Sequence, residues 1–167
     1  MNNAIPTAEG AIQIAMQEYG GTINGSRCLV AGFGRIGKVL SKMLKGIGAK
    51  VTASARKAKD IAWINLLGYS AVLTASLTSP KAGNTAFNII FNTIPSLIFD
   101  ADVLARLPKN AVIIDLASLP GGVDFDSARK FKIKAIQALA LPGKVAPRSA
   151  GEIIKNTIYN MIEEDQL

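Results

Sequence analysis

Histidine is absent from this sequence, and cysteine occurs once, as Cys28. The lack of histidine excludes a histidine general base, a triad that uses histidine and a histidine-rich metal site within these residues. A single cysteine cannot form an internal disulfide, and with no histidine beside it we expect no zinc or other metal site. The cysteine content is typical of a reducing compartment, so we predict a cytoplasmic protein.

Long apolar runs are also missing, because lysine, aspartate or glycine interrupts each one before it reaches the length of a bilayer crossing. The first six residues lack the basic and apolar regions of a signal peptide. We therefore expect no membrane partner. The net charge is +7, but the 19 Lys and Arg residues are spread over many segments, which indicates a solvated surface and no nucleic-acid partner.

The composition that remains is typical of a compact core. Hydrophobic residues make up 49% of the 167 residues and charged residues 19%, which predicts one domain over residues 1–167. Short apolar runs typical of buried strands occur at 28–31, 50–55, 70–73, 88–92, 112–116 and 133–137. Segments with helical spacing separate them. This alternation predicts an α/β fold of the Rossmann type, a doubly wound, mostly parallel sheet with helices on both faces and an extra N-terminal helix.

Capping and breaking residues mark the first and last helices. Thr7 is the predicted N-cap of the first helix, which Gly20 ends. Pro147 lies near the start of a final amphipathic helix that runs to about Ile162. That helix has two interpretations: it packs on the chain's own sheet, or it pairs with a second subunit. Between 76 and 84 we expect a loop with a short helix.

A G-x-G-x-x-G pattern follows the first predicted strand and opens the next helix, at Gly32, Gly34 and Gly37. In that context the glycines are typical of a dinucleotide site, because they allow a tight turn, a close approach to a pyrophosphate and close helix packing. Arg35 and Ile36 belong to the same predicted site, since the free N–H groups at the helix start face the phosphates. The alternative is a tight turn that binds nothing.

The end of the second strand bears on which dinucleotide binds. NAD-binding domains usually carry Asp or Glu there for the ribose 2′-hydroxyl, whereas this chain has Ser54, Ala55, Arg56 and Lys57. A guanidinium at Arg56 suits a 2′-phosphate, and Arg35 adds a second positive charge. We therefore predict NADP in preference to NAD, with Ser54, Arg56 and Lys57 in the site. The alternative is that Arg56 and Lys57 are ordinary surface charges.

Three later strand ends carry turn residues, and ligands of such folds bind beyond the carboxyl ends of the strands. Singly, each end is equally explained by turn geometry; together on one rim they favour a site. The residues predicted to border the ribose and the nicotinamide are Asn92, Thr93, Ile94, Pro95, Ala117, Ser118, Leu141 and Pro142. The pair Gly121 and Gly122 is expected to let the backbone approach the nicotinamide.

Five motifs, in this order along nearly the whole chain, resemble the A subunits of dipicolinate synthases. They are IPTAEGAI at 5–12, GFGRIG at 32–37, NTIPSLI at 92–98, DLASLPGGVDF at 115–125 and LPGKVAPRSAGEII at 141–154. The similarity is to the C-terminal, nucleotide-binding part of that family, whose members carry a further N-terminal domain. We expect that domain to be missing from these 167 residues. The implied fold also resembles the nucleotide domain of D-2-hydroxyacid dehydrogenases.

The resemblance implies a nicotinamide-dependent oxidoreductase. With a B subunit, such a protein oxidises a dihydrodipicolinate-type intermediate, a small diacid, to dipicolinic acid with NADP during sporulation. We expect the domain to be inactive alone, because the substrate cleft needs the missing domain, and we expect a homo-oligomer. The alternatives are a non-catalytic NAD(P)-binding or partner-docking domain, and the cofactor domain of a D-2-hydroxyacid-dehydrogenase-like oxidoreductase.

The catalytic acid or base is not assigned. Hydroxyacid dehydrogenases use a histidine and an arginine, whereas this chain has no histidine and has Leu119 at the arginine's place, which disfavours that reaction. Glu9, Asp115 and Asp124 are the carboxylate candidates, and a structural role is favoured for each. The candidate cations for a diacid are Lys144 and Arg148, with surface placement equally expected.

Overall fold

The structure, a computed structural model, describes residues 3–79 and 87–164. Its strands are β1 Arg27–Ala31, β2 Lys50–Ala55, β3 Ser70–Leu73, β4 Ile89–Asn92, β5 Val112–Asp115 and β6 Lys134–Gln137. Its helices are α1 Ala4–Glu18, α2 Arg35–Gly46, α3 Ala58–Leu66, α4 Thr74–Thr78, α5 Ala101–Ala105, α6 Phe125–Lys130, α7 Leu141–Val145 and α8 Pro147–Glu164. The strands form one six-stranded sheet in the order β3-β2-β1-β4-β5-β6.

Every neighbouring pair of strands is parallel, and helices cover both faces of the sheet. On one face, side chains of α1 and α2 pack on alternate strand residues, among them Val30, Phe91 and Ile114. On the other face, α5 and α6 pack on the residues between them, among them Leu29, Ile90 and Ile113. This double burial explains why the strands are continuously apolar. The predicted Rossmann fold with an added N-terminal helix is confirmed.

Helix α1 begins one turn earlier than predicted. It starts at Ala4 after Asn3, so the assignment of Thr7 as the N-cap is wrong. Pro6 is compatible with this start, because a proline in the first turn loses no intrahelical hydrogen bond. The Thr7 hydroxyl instead donates to the carbonyl oxygen of Asn3 at 2.7 Å, a bond that reaches back one turn.

Three shorter helices differ from the elements that the sequence predicts in their place. Residues 141–145 form α7, where the sequence predicts only a loop. The sequence predicts a helix that is capped by Asp100 and runs to Leu107; Asp100 is the N-cap residue of α5, but the helix ends at Ala105. The short helix expected near 76–84 corresponds to α4, which starts at Thr74. The rest of that predicted loop, from 80 to 84, lies outside the described residues.

Helix α8 packs against α7 at its start and is exposed along most of its length. Ala150 is buried, but Ile154, Ile158 and Met161 are 54%, 52% and 59% exposed. The interpretation that this helix packs on the chain's own sheet is therefore wrong for the described residues. None of the helices in the described part combines the length and the apolar character that a bilayer crossing requires.

Candidate cofactor site

The glycine loop lies where the sheet reverses its direction of winding. It follows β1, which is flanked by β2 on one side and β4 on the other. The connections that leave β1 and β4 therefore diverge, and the crevice between them is the usual ligand site of an open α/β sheet. The loop then enters α2 with Gly34 as the N-cap residue.

Two glycines of this loop are required by the fold. Gly32 has a φ of +98°, and a Cβ there would overlap the hydroxyl of Thr93. That hydroxyl is fixed, because it donates to the carbonyl oxygen of Ala31 at 2.8 Å. A Cβ at Gly37 would overlap the carbonyl oxygen of Gly32, so α2 can approach the loop only with glycine at this position. These are the reasons that the sequence pattern predicts for Gly32 and Gly37.

The middle glycine has no such internal reason. Gly34 has a φ of −80°, and a Cβ added to it would meet no atom within 4 Å. The N–H groups of Arg35 and Ile36, in the first turn of α2, have no intrahelical acceptor. The loop therefore presents backbone donors and the positive end of a helix dipole to open space. This arrangement fits the pyrophosphate of a dinucleotide, because the anion can accept hydrogen bonds from these N–H groups and lies at the positive end of the helix dipole.

Ser54 supports the loop from within the protein. Its side chain is completely buried, and its hydroxyl oxygen accepts a hydrogen bond from the N–H of Gly32 at 3.1 Å. The hydroxyl of Thr74 donates to the same oxygen at 3.3 Å. Ser54 is thus placed to orient the glycine loop, whereas the sequence predicts direct contact with the cofactor. Thr74 is a residue that the sequence pattern missed, although its position directly after β3 was a usable signal.

Three positive side chains stand at the start of α2 and directly after β2, the strand next to β1. Arg35, Arg56 and Lys57 are exposed, and none forms an ion pair with another described residue. Arg56 directly follows β2, and Lys57 is the N-cap residue of α3 without a side-chain capping bond. The first turn of α3, which directly follows these two cations in the chain, therefore has free N–H groups. No carboxylate follows β2 before Asp60.

The ends of β4 and β5 bring a mixture of buried and exposed residues to the rim. Asn92 is completely buried and Ala117 is 3% exposed, whereas Pro95 and Ser118 are exposed. The backbone N–H of Ile94 is already used, since it donates to the side-chain oxygen of Asn92 at 3.1 Å. Direct contact with a ligand is therefore open to Pro95 and Ser118, while Asn92 acts on its own loop.

The last predicted pair divides in the same way. Leu141 is 4% exposed and packs in the core cluster beside α1, where a Cβ on Gly10 would lie 3.2 Å from the Cβ of Leu141. Its side chain therefore serves packing. Pro142 is only partly buried and remains at the rim. The structure brings the predicted residues to one edge of the sheet, but it gives several of them internal roles.

The carboxylate candidates have structural roles or lie on another surface. Asp115 is completely buried and accepts three hydrogen bonds. Asp124 is the N-cap residue of α6, and the hydroxyl and backbone N–H of Ser127 hold the pKa of its carboxyl below the usual value. Glu9 lies on a shallow groove between α1 and α2, with Met16 among its neighbours. Among the described residues, no three metal-ligating side chains cluster in a way that could hold a metal ion.

The glycine pair also has an internal role that the sequence did not indicate. A Cβ on Gly121, whose φ is +87°, would lie 2.8 Å from a carboxylate oxygen of Asp115. A Cβ on Gly122 would overlap the amide nitrogen of Asn92 and lie 2.6 Å from the carbonyl oxygen of Ile94. The small size of these residues lets the loop after β5 sit on the ends of β4 and β5. The expected approach to a nicotinamide is not needed to explain them.

A family model described as "D-isomer specific 2-hydroxyacid dehydrogenase, NAD binding domain" matches residues 6–118. The chain belongs to this family. It is therefore a domain of dehydrogenase type for a nicotinamide dinucleotide, and the matched residues include the glycine loop and the ends of β2, β4 and β5.

Individual proteins confirm the resemblance to dipicolinate synthase A subunits. The A subunit of dipicolinate synthase from Bacillus subtilis (strain 168) is 40% identical over 98% of this chain and 54% of that protein. The crystal structure of the B. subtilis protein matches with a TM-score of 0.94 at 39% identity, covering 99% of this chain and 54% of that chain. The Bacillus halodurans protein gives 0.91 at 38% identity, covering 96% and 54%. The chain thus spans about half the length of these relatives, at 54%.

Proposed function

We propose that this chain is the cofactor-binding part of an oxidoreductase that converts a dihydrodipicolinate-type diacid to dipicolinic acid with NADP. Gly34 carries the cofactor part of the proposal, because this glycine faces open space at the start of α2 and has no packing reason of its own. The substrate part rests on similarity to proteins named as the A subunits of dipicolinate synthase. A role in sporulation and a cytoplasmic location belong to the same proposal.

The chain's residues bind and orient the cofactor in this proposal. The N–H groups of Arg35 and Ile36 hold the pyrophosphate, and the bonds from Gly32 to Ser54 and from Thr93 to Ala31 keep the loop in place. A bound nicotinamide would supply the hydride acceptor for oxidation of a ring C–H of the substrate, with a ring proton lost as the ring becomes aromatic. The protein's contribution is mainly to hold donor and acceptor in register.

The preference for NADP is argued from charge at the end of β2. Exposed Arg56 and Lys57 stand where a carboxylate would otherwise bind the ribose hydroxyls. The guanidinium of Arg56 can form paired bonds to a 2′-phosphate, and the uncapped first turn of α3 offers further donors. The ribose of NAD carries no phosphate to pair with these cations, and no carboxylate follows β2 before Asp60 to accept hydrogen bonds from its hydroxyls.

Turnover is proposed to need residues beyond these 167. The chain spans 54% of its dipicolinate synthase relative, and a diacid requires cations that face the cleft. Of the two candidates, Lys144 is exposed on α7, and Arg148 pairs with Glu152 on α8 at 3.4 Å. We therefore expect the isolated chain to bind NADP without forming dipicolinate.

Titration of the chain with NADPH and NADH tests the proposal, with binding followed by fluorescence or calorimetry. Wild-type protein should bind NADPH more tightly than NADH. Gly34→Ala should fold normally but lose at least about tenfold in affinity, because the Cβ enters the space needed for the pyrophosphate. Gly46→Ala is the matched control, since it also adds a Cβ to α2 in open space. Equal affinity of Gly34→Ala and Gly46→Ala for NADPH would contradict the proposal, and so would dipicolinate formation by the isolated chain.

A second candidate function is docking without turnover, in which the partner is the B subunit of a dipicolinate synthase. The exposed apolar face of α8, at Ile154, Ile158 and Met161, favours it. If docking is the function, Ile158→Ser should weaken capture of purified B subunit while NADPH binding is unchanged. Turnover by the assembled subunits would support the enzyme, and a stable complex without turnover would support docking. Formation of a homo-oligomer stays a prediction, which sedimentation can test.

A further inference from the structure

Asn92 and Asp115 form a buried polar pair at the ends of β4 and β5. The two residues are register partners, and both side chains are completely buried. The amide nitrogen of Asn92 donates to Oδ1 of Asp115 at 2.8 Å. The same amide group closes a ring with the backbone of Ile94, donating to its carbonyl oxygen at 3.0 Å and accepting from its N–H at 3.1 Å. Asn92 therefore fixes the start of the loop after β4.

Asp115 fixes the loop after β5 in the same way. Its Oδ1 also accepts from the N–H of Ala117 at 3.1 Å, and its Oδ2 accepts from the N–H of Gly122 at 2.9 Å. The carbonyl oxygen of Gly122 accepts in turn from the N–H groups of Ile98 and Phe99, at 3.0 and 2.9 Å. The two loops are thus joined at the carboxylate and again at Gly122.

A packing role alone does not account for this pair. Apolar side chains of similar volume would fill the same space without the cost of burying a carboxylate. What a carboxylate adds is the ability to accept bonds from backbone groups in two irregular segments at once. Both segments border the half of the crevice that lies over β4 and β5, away from Arg56 and the end of β2.

We infer that Asn92 and Asp115 are positioning residues that hold the nicotinamide half of the cofactor site in shape. The inference rests on the proposed binding of a dinucleotide. In a doubly wound sheet the two halves of a dinucleotide lie on opposite sides of the switch point. The glycine loop and Arg56 serve the adenosine half, and the loops joined by this pair serve the other half. Neither side chain touches the ligand.

Ligand fragments separate this role from general stabilisation. Wild-type chain and Asp115→Asn are titrated with NADPH and NADH, and with 2′,5′-ADP and 5′-ADP, which lack the nicotinamide half. In the wild type, both oxygens of the Asp115 carboxylate accept hydrogen bonds from N–H groups. An asparagine at 115 replaces one of these oxygens with an amide nitrogen, which cannot accept, so at least one N–H donor loses its acceptor. We expect fragment binding to be unchanged and binding of the complete dinucleotide to fall about tenfold. Asp102→Asn, an exposed change in the first turn of α5, is the control for the loss of charge.

The outcomes are distinguishable. Retention of full dinucleotide affinity by Asp115→Asn would overturn the inference, and so would a parallel loss of fragment and dinucleotide. Wild-type protein that binds neither would overturn the proposed function itself. If Asp115→Asn does not fold, Asn92→Ala replaces it, because Asp115 then keeps its two backbone donors. The same selective loss is expected, and its absence in a folded Asn92→Ala chain would overturn the inference.

Discussion

The backbone N–H of Gly32 donates to the hydroxyl of Ser54 at 3.1 Å, which ties the glycine loop to the end of β2. Because Ser54 is completely buried, Ser54→Ala removes the acceptor of that N–H and also the acceptor of the Thr74 hydroxyl inside the protein. We expect a loss of about 1–3 kcal/mol in the free energy of unfolding. Urea unfolding followed by circular dichroism measures it.

An exposed serine at the same rim provides the control for this change. Ser118→Ala should leave the free energy of unfolding within about 0.5 kcal/mol of the wild-type value, since its side chain is solvated. Ser54→Ala should also bind NADPH more weakly, because the loop is then less well fixed. Wild-type stability in Ser54→Ala together with weakened binding would instead indicate direct contact between Ser54 and the cofactor.

Ser54 also illustrates how far the sequence reaches. The strands and the glycine loop could be predicted, because apolar periodicity and backbone conformation are local properties of the chain. Whether a polar residue at a strand end faces the ligand or the interior depends on the neighbouring strand. The sequence therefore placed Ser54, Asn92 and Leu141 at the correct edge of the sheet, but it could not show that their side chains are buried.

The final helix marks a different limit. The spacing of apolar residues in α8 predicts an amphipathic helix, and the structure has one from Pro147–Glu164. Periodicity identifies an apolar face but says nothing of what covers it, since a sheet and a second subunit demand the same pattern.

The early start of α1 has a different cause. Thr7 suits an N-cap, but Pro6 is compatible with the first turn, so the helix extends past it.

Arg56 should set the choice between the two dinucleotides. Removing the guanidinium in Arg56→Ala is expected to weaken NADPH by about tenfold and to leave NADH nearly unchanged, because only NADPH carries the 2′-phosphate. Arg56→Lys should fall between, since the charge remains and the paired geometry is lost. Competition titrations of both cofactors measure the ratio.

Lys59→Ala is the matched control for Arg56→Ala, because it removes one positive charge from exposed α3 nearby. Its effect on the NADPH-to-NADH ratio should be small and should vanish as salt is raised. An equal fall in both variants would mean that the general positive field, and not Arg56, selects the cofactor.

Ala140 carries a left-handed backbone conformation, with φ +56° and ψ +32°, directly before α7. An L-residue pays about 1–2 kcal/mol in this region, whereas glycine adopts it freely. Ala140→Gly should therefore raise the free energy of unfolding by about 0.5–1 kcal/mol after the greater freedom of the unfolded glycine is subtracted. Ala146→Gly, at the other end of α7 with φ −143°, should lower it. The free energies of unfolding of the two variants should therefore change in opposite directions. A decrease in both variants would contradict the prediction.

Asp124 should contribute stability that depends on pH. The Ser127 hydroxyl and backbone bonds lower the pKa of this carboxyl in the folded protein, so the ionised form is favoured by folding. The contribution is present above the unfolded pKa of about 4 and is lost as the pH falls through the lower folded pKa. Asp124→Asn keeps a capping residue but cannot ionise. Its stability deficit relative to wild type should therefore be larger at pH 6 than at pH 3.

Asp102→Asn, which alters an exposed acid in the first turn of α5, should show a smaller change in deficit between the two pH values. A deficit for Asp124→Asn that is the same at both values would assign the role of Asp124 to hydrogen bonding without a linked proton.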